Sequence, residues 1–301
     1  MLTRLWLLAA GLLPSLTAAQ VPPPAAQNPS PMVEATRTHE RLTERELGGA
    51  RRSFAGPQGK PVDVWLPDGL RADDVRLVVH FLGAAWLPEY AVSRLGHNSV
   101  AAVVNLGAGS GIYDRSFSDP SAFDSLLAGV MHEIATVLKR DPRITRVTLV
   151  GFSAGHGAIR AILREPRHFA RVDAVLLLDG MHTSYVPEGT VLEKGGTLDP
   201  KNLDAFVRFA REAVAGRKRF LITHSEIFPG TFASTTETAD YLLRELGLHR
   251  TPVLTWGPRG MQQLSEVRAG GFELLGFAGN SAPDHIDHLH GMPEFLERVS
   301  R

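Results

Sequence analysis

From about position 60 onward, apolar residues follow two alternating patterns. Short, nearly continuous runs, such as VRLVVHFL at 75–82 and SVAAVVNL at 99–106, read as strands buried on both faces. Longer stretches repeat at three- and four-residue steps. Over 120–140 the positions are Leu126, Leu127, Val130, Met131, Ile134, Val137 and Leu138, which predicts a helix with one apolar face. Asp141-Pro142 stops it, because the residue before a proline avoids helical backbone. The same reading predicts strands over 62–66, 144–150, 172–178, 220–224 and 272–277. It predicts helices over 155–164, 203–215, 236–246 and 292–299. Strand and helix alternate, and no internal repeat is visible. The expectation is an α/β domain over 51–301: a mostly parallel, roughly eight-stranded sheet with helices on both faces. Such sheets place their chemistry beyond the carboxyl ends of the strands.

The first 50 residues follow a different pattern. Arg4 precedes an apolar run over 5–16, and Thr17, Ala18 and Ala19 supply small residues. This is signal-peptide anatomy over 1–19, with cleavage expected after Ala19 and an apolar core too short to span a bilayer. Residues 20–50 read as a leader. QVPPPAAQNPSPM at 20–32 is rich in Pro and Ala without a period, and 33–50 is charged and helix-compatible. The chain is thus expected to be exported, to the periplasm or the medium, with no stable membrane anchor.

Composition narrows the function. Of 301 residues, 44% are hydrophobic and 21% charged, enough for a full core. Lys plus Arg and Asp plus Glu both total 32, so the net charge is zero and no basic excess is left for a nucleic-acid backbone. The absence of cysteine rules out disulfides, thiolate metal sites, a Cys nucleophile and a lipoprotein anchor.

The strand predicted over 144–150 runs directly into Gly151-Phe152-Ser153-Ala154-Gly155-His156-Gly157. This is G-x-S-x-G with a strand before it and a helix after it. A sharp strand-to-helix turn exposes the Ser153 hydroxyl on strained backbone. Side chains two residues before and after would strike neighbouring backbone, so glycine stands there. The helix N-terminus behind the turn favours negative charge.

On this motif and its flanks, residues 60–300 resemble the α/β-hydrolase family. The resemblance implies a serine–acid–histidine triad in that chain order and two backbone N–H groups forming an oxyanion hole. One donor would be Ala154, after the nucleophile. The other would come from the loop after 75–82, where the family often has His-Gly and this chain has Leu82-Gly83; Ala84 is the candidate. Chain order puts the histidine in DHIDHLH at 284–290. His285 is the first choice and His288 the alternative, while His290 reads as a helix-face residue. For the acid, Asp179, after the strand over 172–178, is the first choice, and Glu226, in the His224-Ser225-Glu226 segment, is the alternative. His285, His288 and their aspartates could also suit a metal, but their spacing matches no specific signature, and no metal or other cofactor is expected. The loop-like segment at 107–120 reads as a pocket wall offering Tyr113, Arg115 and Phe117. The segment at 180–200 reads as a rim or small lid, and Trp86 as a pocket residue beside the oxyanion loop. The expected activity is cleavage of a small-molecule carboxylic ester through an acyl-enzyme. A peptidase or amidase on the same triad, and a non-catalytic exported binding protein, are the alternatives.

Overall fold

The computed structural model describes residues 37–301. The segments read as a signal peptide and a Pro/Ala-rich leader lie outside the described residues. The strands are β1 (Ala50–Ala55), β2 (Pro61–Leu66), β3 (Val75–Phe81), β4 (Ser99–Val104), β5 (Ile144–Phe152), β6 (Ala174–Leu178), β7 (Tyr185–Val186), β8 (Thr197–Leu198), β9 (Arg219–His224), β10 (Thr251–Trp256), β11 (Gln262–Ala269) and β12 (Phe272–Phe277). The helices are α1 (Trp86–Ser93), α2 (Ser110–Phe117), α3 (Pro120–Leu138), α4 (His156–Arg164), α5 (Pro166–Arg171), α6 (Asp204–Val214), α7 (Thr235–Leu246), α8 (Ala282–His290) and α9 (Met292–Ser300).

Ten strands form one sheet in the order β1-β2-β4-β3-β5-β6-β9-β12-β11-β10, and β7 pairs with β8 apart from it. The strands from β4 through β12 in that order run parallel. Antiparallel strands complete both edges. The α/β class is as expected, but the sheet has ten strands rather than about eight. The extra strands are β1, β10 and β11 (ARRSFA, TPVLTW, QQLSEVRA). Edge strands with one or both faces wet carry no apolar run, and backbone pairing alone assembles them.

Successive side chains on a strand point to opposite faces, and the buried residues separate accordingly. Leu77 and Val79 of β3, Leu149 of β5 and Val175 of β6 join the core under α2, α3, α4 and α6. Val78, Val150 and Leu176 join a second core under α1 and α9. Each such side chain stabilises the fold by about 1.5–3 kcal/mol.

Three segments differ from expectation. Residues 110–117 form α2 rather than a loop. Gly157 makes this packing possible, since a Cβ there would stand 2.2 Å from the Ser110 carbonyl oxygen. Residues 282–290 form their own helix, α8, opened by a Ser281–Asp284 capping box. Residues 37–48, read as part of a helix-compatible leader, form no helix or strand. They lie along α8, where Arg41 donates to the Pro283 carbonyl and the Leu42 N–H donates to His290 Nδ1.

Candidate active site

Ser153 stands where β5 ends, with φ 48°. A non-glycine residue in this left-handed region costs on the order of 1 kcal/mol or more. The flanking glycines are needed for space. A Cβ on Gly155 would lie 2.2 Å from the Phe81 carbonyl oxygen, and one on Gly151 would lie 3.0 Å from Ile159 Cδ1. Gly155 thus lets the turn press against the end of β3. Gly180 serves the same turn from behind, because its Cβ would meet the Ser153 carbonyl oxygen at 2.4 Å.

Asp179 follows β6 directly, also at positive φ (43°), and is buried. Its Oδ1 accepts from the Ser225 N–H (2.9 Å) and the Thr235 hydroxyl (2.7 Å). Its Oδ2 accepts from the Ser225 hydroxyl and from His285 Nδ1, both at 2.7 Å. Burial opposes the negative charge, but the His288 and His285 rings and the Ser225 N–H outweigh it and hold the carboxyl well below the usual carboxylate range. An ionised carboxylate can only accept, so His285 carries a proton on Nδ1. His285 lies in the first turn of α8, placed by the capping box, with the Phe152 ring 4.6 Å away.

Ser153, Asp179 and His285 line one cavity of about 290 Å³, walled on its apolar side by Ile227, Pro229 and Phe232. A second cavity, of about 410 Å³, meets it at Ser153, His182 and Phe232. Its wall includes Ala154 and the polar side chains of His156, Arg160 and Asn202. His182 and His156 each direct Nδ1 at a backbone carbonyl, of Ala233 (2.9 Å) and Ser153 (2.8 Å) respectively. Burial lowers the pKa of both, that of His156 to about 3 with help from His182 and Arg160.

Other sequence-predicted residues stand elsewhere. The His288 ring is buried and bonds the Thr223 hydroxyl at 2.8 Å, packed edge-on against Phe277. Glu226 is exposed and accepts the Gly279 N–H. Neither lines a cavity beside Ser153. Tyr113 is not a pocket residue. It is fully buried in α2, and its hydroxyl accepts the Leu106 N–H. Phe117 is likewise core and Arg115 is exposed; Gly109 and Ser110 are the parts of that segment that reach the second cavity. Trp86 opens α1 and packs edge-on against His290, outside both cavities. In the segment at 180–200, His182, Thr183 and Ser184 do line the second cavity.

After β3 the chain turns sharply, with Leu82 at φ 72° and Gly83 at φ 158°. The Leu82 N–H goes to the Val104 carbonyl and the Gly83 N–H to Asn105 Oδ1. The amide of Ala84 comes next in the turn, and neither cavity wall includes Ala84. Asn105 clamps this loop from both sides, since its Nδ2 also donates to the Gly83 carbonyl. Nothing local marked Asn105. Ser225 and Thr235 were equally silent, because each matters only through Asp179.

His285 and His288 are not brought to one point with their aspartates. Asp284 and Asp287 instead join His39, their ligand atoms within 4.8 Å of one another. Arg37 donates to both carboxylates, so a guanidinium already supplies positive charge to that cluster.

No protein-family model matches the chain, and no curated protein matches it in sequence. It is similar to several solved structures. One is the Pyrococcus horikoshii acylaminoacyl peptidase, at 11% identity and a TM-score of 0.45, covering 85% of this chain and 41% of that one. Another is a Pyrococcus furiosus esterase, at 13% identity and a TM-score of 0.44, covering 87% and 97%. A third is a bacterial heroin esterase, at 12% identity and a TM-score of 0.43, covering 85% and 86%. The functional reading rests on the geometry around Ser153.

Proposed function

We propose that this chain is a serine hydrolase cleaving carboxylic esters through an acyl-enzyme. One observation carries the reading. A serine on a strained strand-to-helix turn shares a cavity wall with a histidine whose Nδ1 is held by a buried carboxylate. In the reaction Ser153 Oγ attacks the ester carbonyl while His285 Nε2 takes the hydroxyl proton. Asp179 keeps His285 in the required tautomer and stabilises the imidazolium that forms. The N–H groups of Ala154 and Ala84 hold the oxygen that becomes negative, each worth roughly 3 kcal/mol in the transition state. His285 then returns the proton to the leaving alcohol, and water releases the acid by the reverse route. An ester fits this apparatus because an alcohol leaves more readily than an amine. Export after cleavage near Ala19 is part of the proposal and puts the substrate outside the cytoplasm.

The test is labelling of the mature protein with a fluorophosphonate, read as intact mass. One adduct on the wild type and none on Ser153→Ala is expected. A folded wild type that takes no adduct would overturn the hydrolase reading in favour of a binding protein. Paired ester and anilide substrates then check the leaving group: faster anilide cleavage would make it an amidase.

A further inference from the structure

We propose that Arg160 makes the second cavity a subsite for a carboxylate carried by the substrate; this rests on the hydrolase reading of Ser153. Arg160 lies on α4, one turn beyond the nucleophile turn, and is 7% exposed. Its Nε donates to Asp114 Oδ2 at 2.7 Å. Its two terminal nitrogens have no hydrogen-bond partner among the described residues. Asp114 is shared, since Arg164 Nη1 reaches both its oxygens at 3.1 and 3.2 Å. One carboxylate therefore faces two guanidinium groups, and positive charge is left over.

The rest of the wall leaves that charge unanswered. Among the described residues, Arg160 is the only charged side chain lining this cavity, whose other polar groups include His156, His182, Ser110 and Asn202. His156 and His182, with pKa values lowered by burial, are neutral near pH 7. His156 is itself buried, with Nδ1 on the Ser153 carbonyl. Such a wall is built for a polar, anionic group. A guanidinium edge with two free nitrogens matches a planar carboxylate. The neighbouring cavity, walled by Ile227, Pro229 and Phe232, suits an apolar group. Ser153 stands between them, so the fitting substrate is an ester with a carboxylate on one side and an apolar group on the other.

The test uses Ser153→Ala protein and calorimetric titration with two probes of one shape, monomethyl glutarate and its neutral counterpart methyl glutaramate. The acid is expected to bind at least about tenfold more tightly, as one charge-assisted contact implies. That preference should vanish in Ser153→Ala/Arg160→Gln and survive in part in Ser153→Ala/Arg160→Lys. Equal affinities, no binding of either probe, or a preference that persists without Arg160 would overturn the proposal. If Arg160→Gln does not fold, the comparison of the two probes on Ser153→Ala alone still decides. The fluorophosphonate result is independent. An adduct without a carboxylate preference removes this subsite and keeps the hydrolase; the preference without an adduct does the reverse.

Discussion

Helix α8 carries two histidine–carboxylate pairs with the same bond length and opposite settings. His285 Nδ1 meets Asp179 Oδ2 at 2.7 Å, and His39 Nδ1 meets Asp287 Oδ2 at 2.7 Å. The first opens on a cavity with Ser153. The second lines neither cavity beside Ser153, and its Asp287 is fully buried and also faces Arg37 and Arg41. A histidine bonded to a carboxylate is thus not chemistry in itself. What sets the first pair apart is the cavity it shares with Ser153, and the proposed base is drawn from that pair. Neutralisation by two arginines makes the other a clamp that fastens the N-terminal segment to α8.

Substitutions should separate the two pairs. The largest effect is expected at Asp179→Asn, which leaves His285 in the wrong tautomer. Ester turnover should fall on the order of 10⁴-fold, measured by steady-state kinetics on a p-nitrophenyl ester. A drop of only a few-fold would mean that Asp179 serves structure alone. Asp287→Asn should act on stability instead. It leaves the Arg37 guanidinium poorly matched, at a cost of about 3 kcal/mol, and should leave fluorophosphonate labelling of the folded protein near the wild-type rate. Urea unfolding beside a labelling time course checks both, and strongly slowed labelling would erase the distinction drawn here.

A smaller effect concerns pH. His80, His156 and His224 are buried, and burial lowers their pKa values to about 4, 3 and 4. Unfolded, each returns to the ordinary value near 6.5. Between about pH 6.5 and 4 the unfolded chain therefore binds protons that the native chain does not. Stability is full above that window and falls as the pH drops through it. Asp179, with its depressed pKa, keeps its full contribution above the usual carboxylate range and loses it progressively as the pH falls into that range and below. The urea midpoint should fall steadily from pH 7 to pH 5; a flat profile would show these rings to be accessible. The smallest effect is expected at Ser153→Gly, which relieves the positive φ and should raise stability by about 1 kcal/mol while removing the hydroxyl. A lower thermal midpoint would mean that the turn is not strained.

Much of this was legible in the chain itself. The apolar runs of β3, β4 and β6 marked central strands, because burial on both faces leaves little room for polar residues. The glycines around Ser153 marked the turn, because close backbone approach excludes any Cβ. Tyr113 and Trp86 were misread because an aromatic in a glycine-rich stretch looks the same whether it lines a pocket or fills a core. Neighbours such as Leu106 and His290 decide the matter. Arg160 gave no signal at all: on a helix it resembles any solvated arginine, and only Asp114 and the cavity beside it change its meaning.

By itself, then, the sequence determined the alternating elements, the turn that presents Ser153, and the short list of acids and histidines able to serve it. These depend on residues near one another in the chain, where steric and periodic rules act directly. The choice among acids and histidines belonged to the tertiary structure. Asp179 and His285 are 106 residues apart, and their meeting depends on where β6 and β12 fall in the sheet and how α8 docks on its end. Those positions are set by packing of the whole core, which no local pattern encodes.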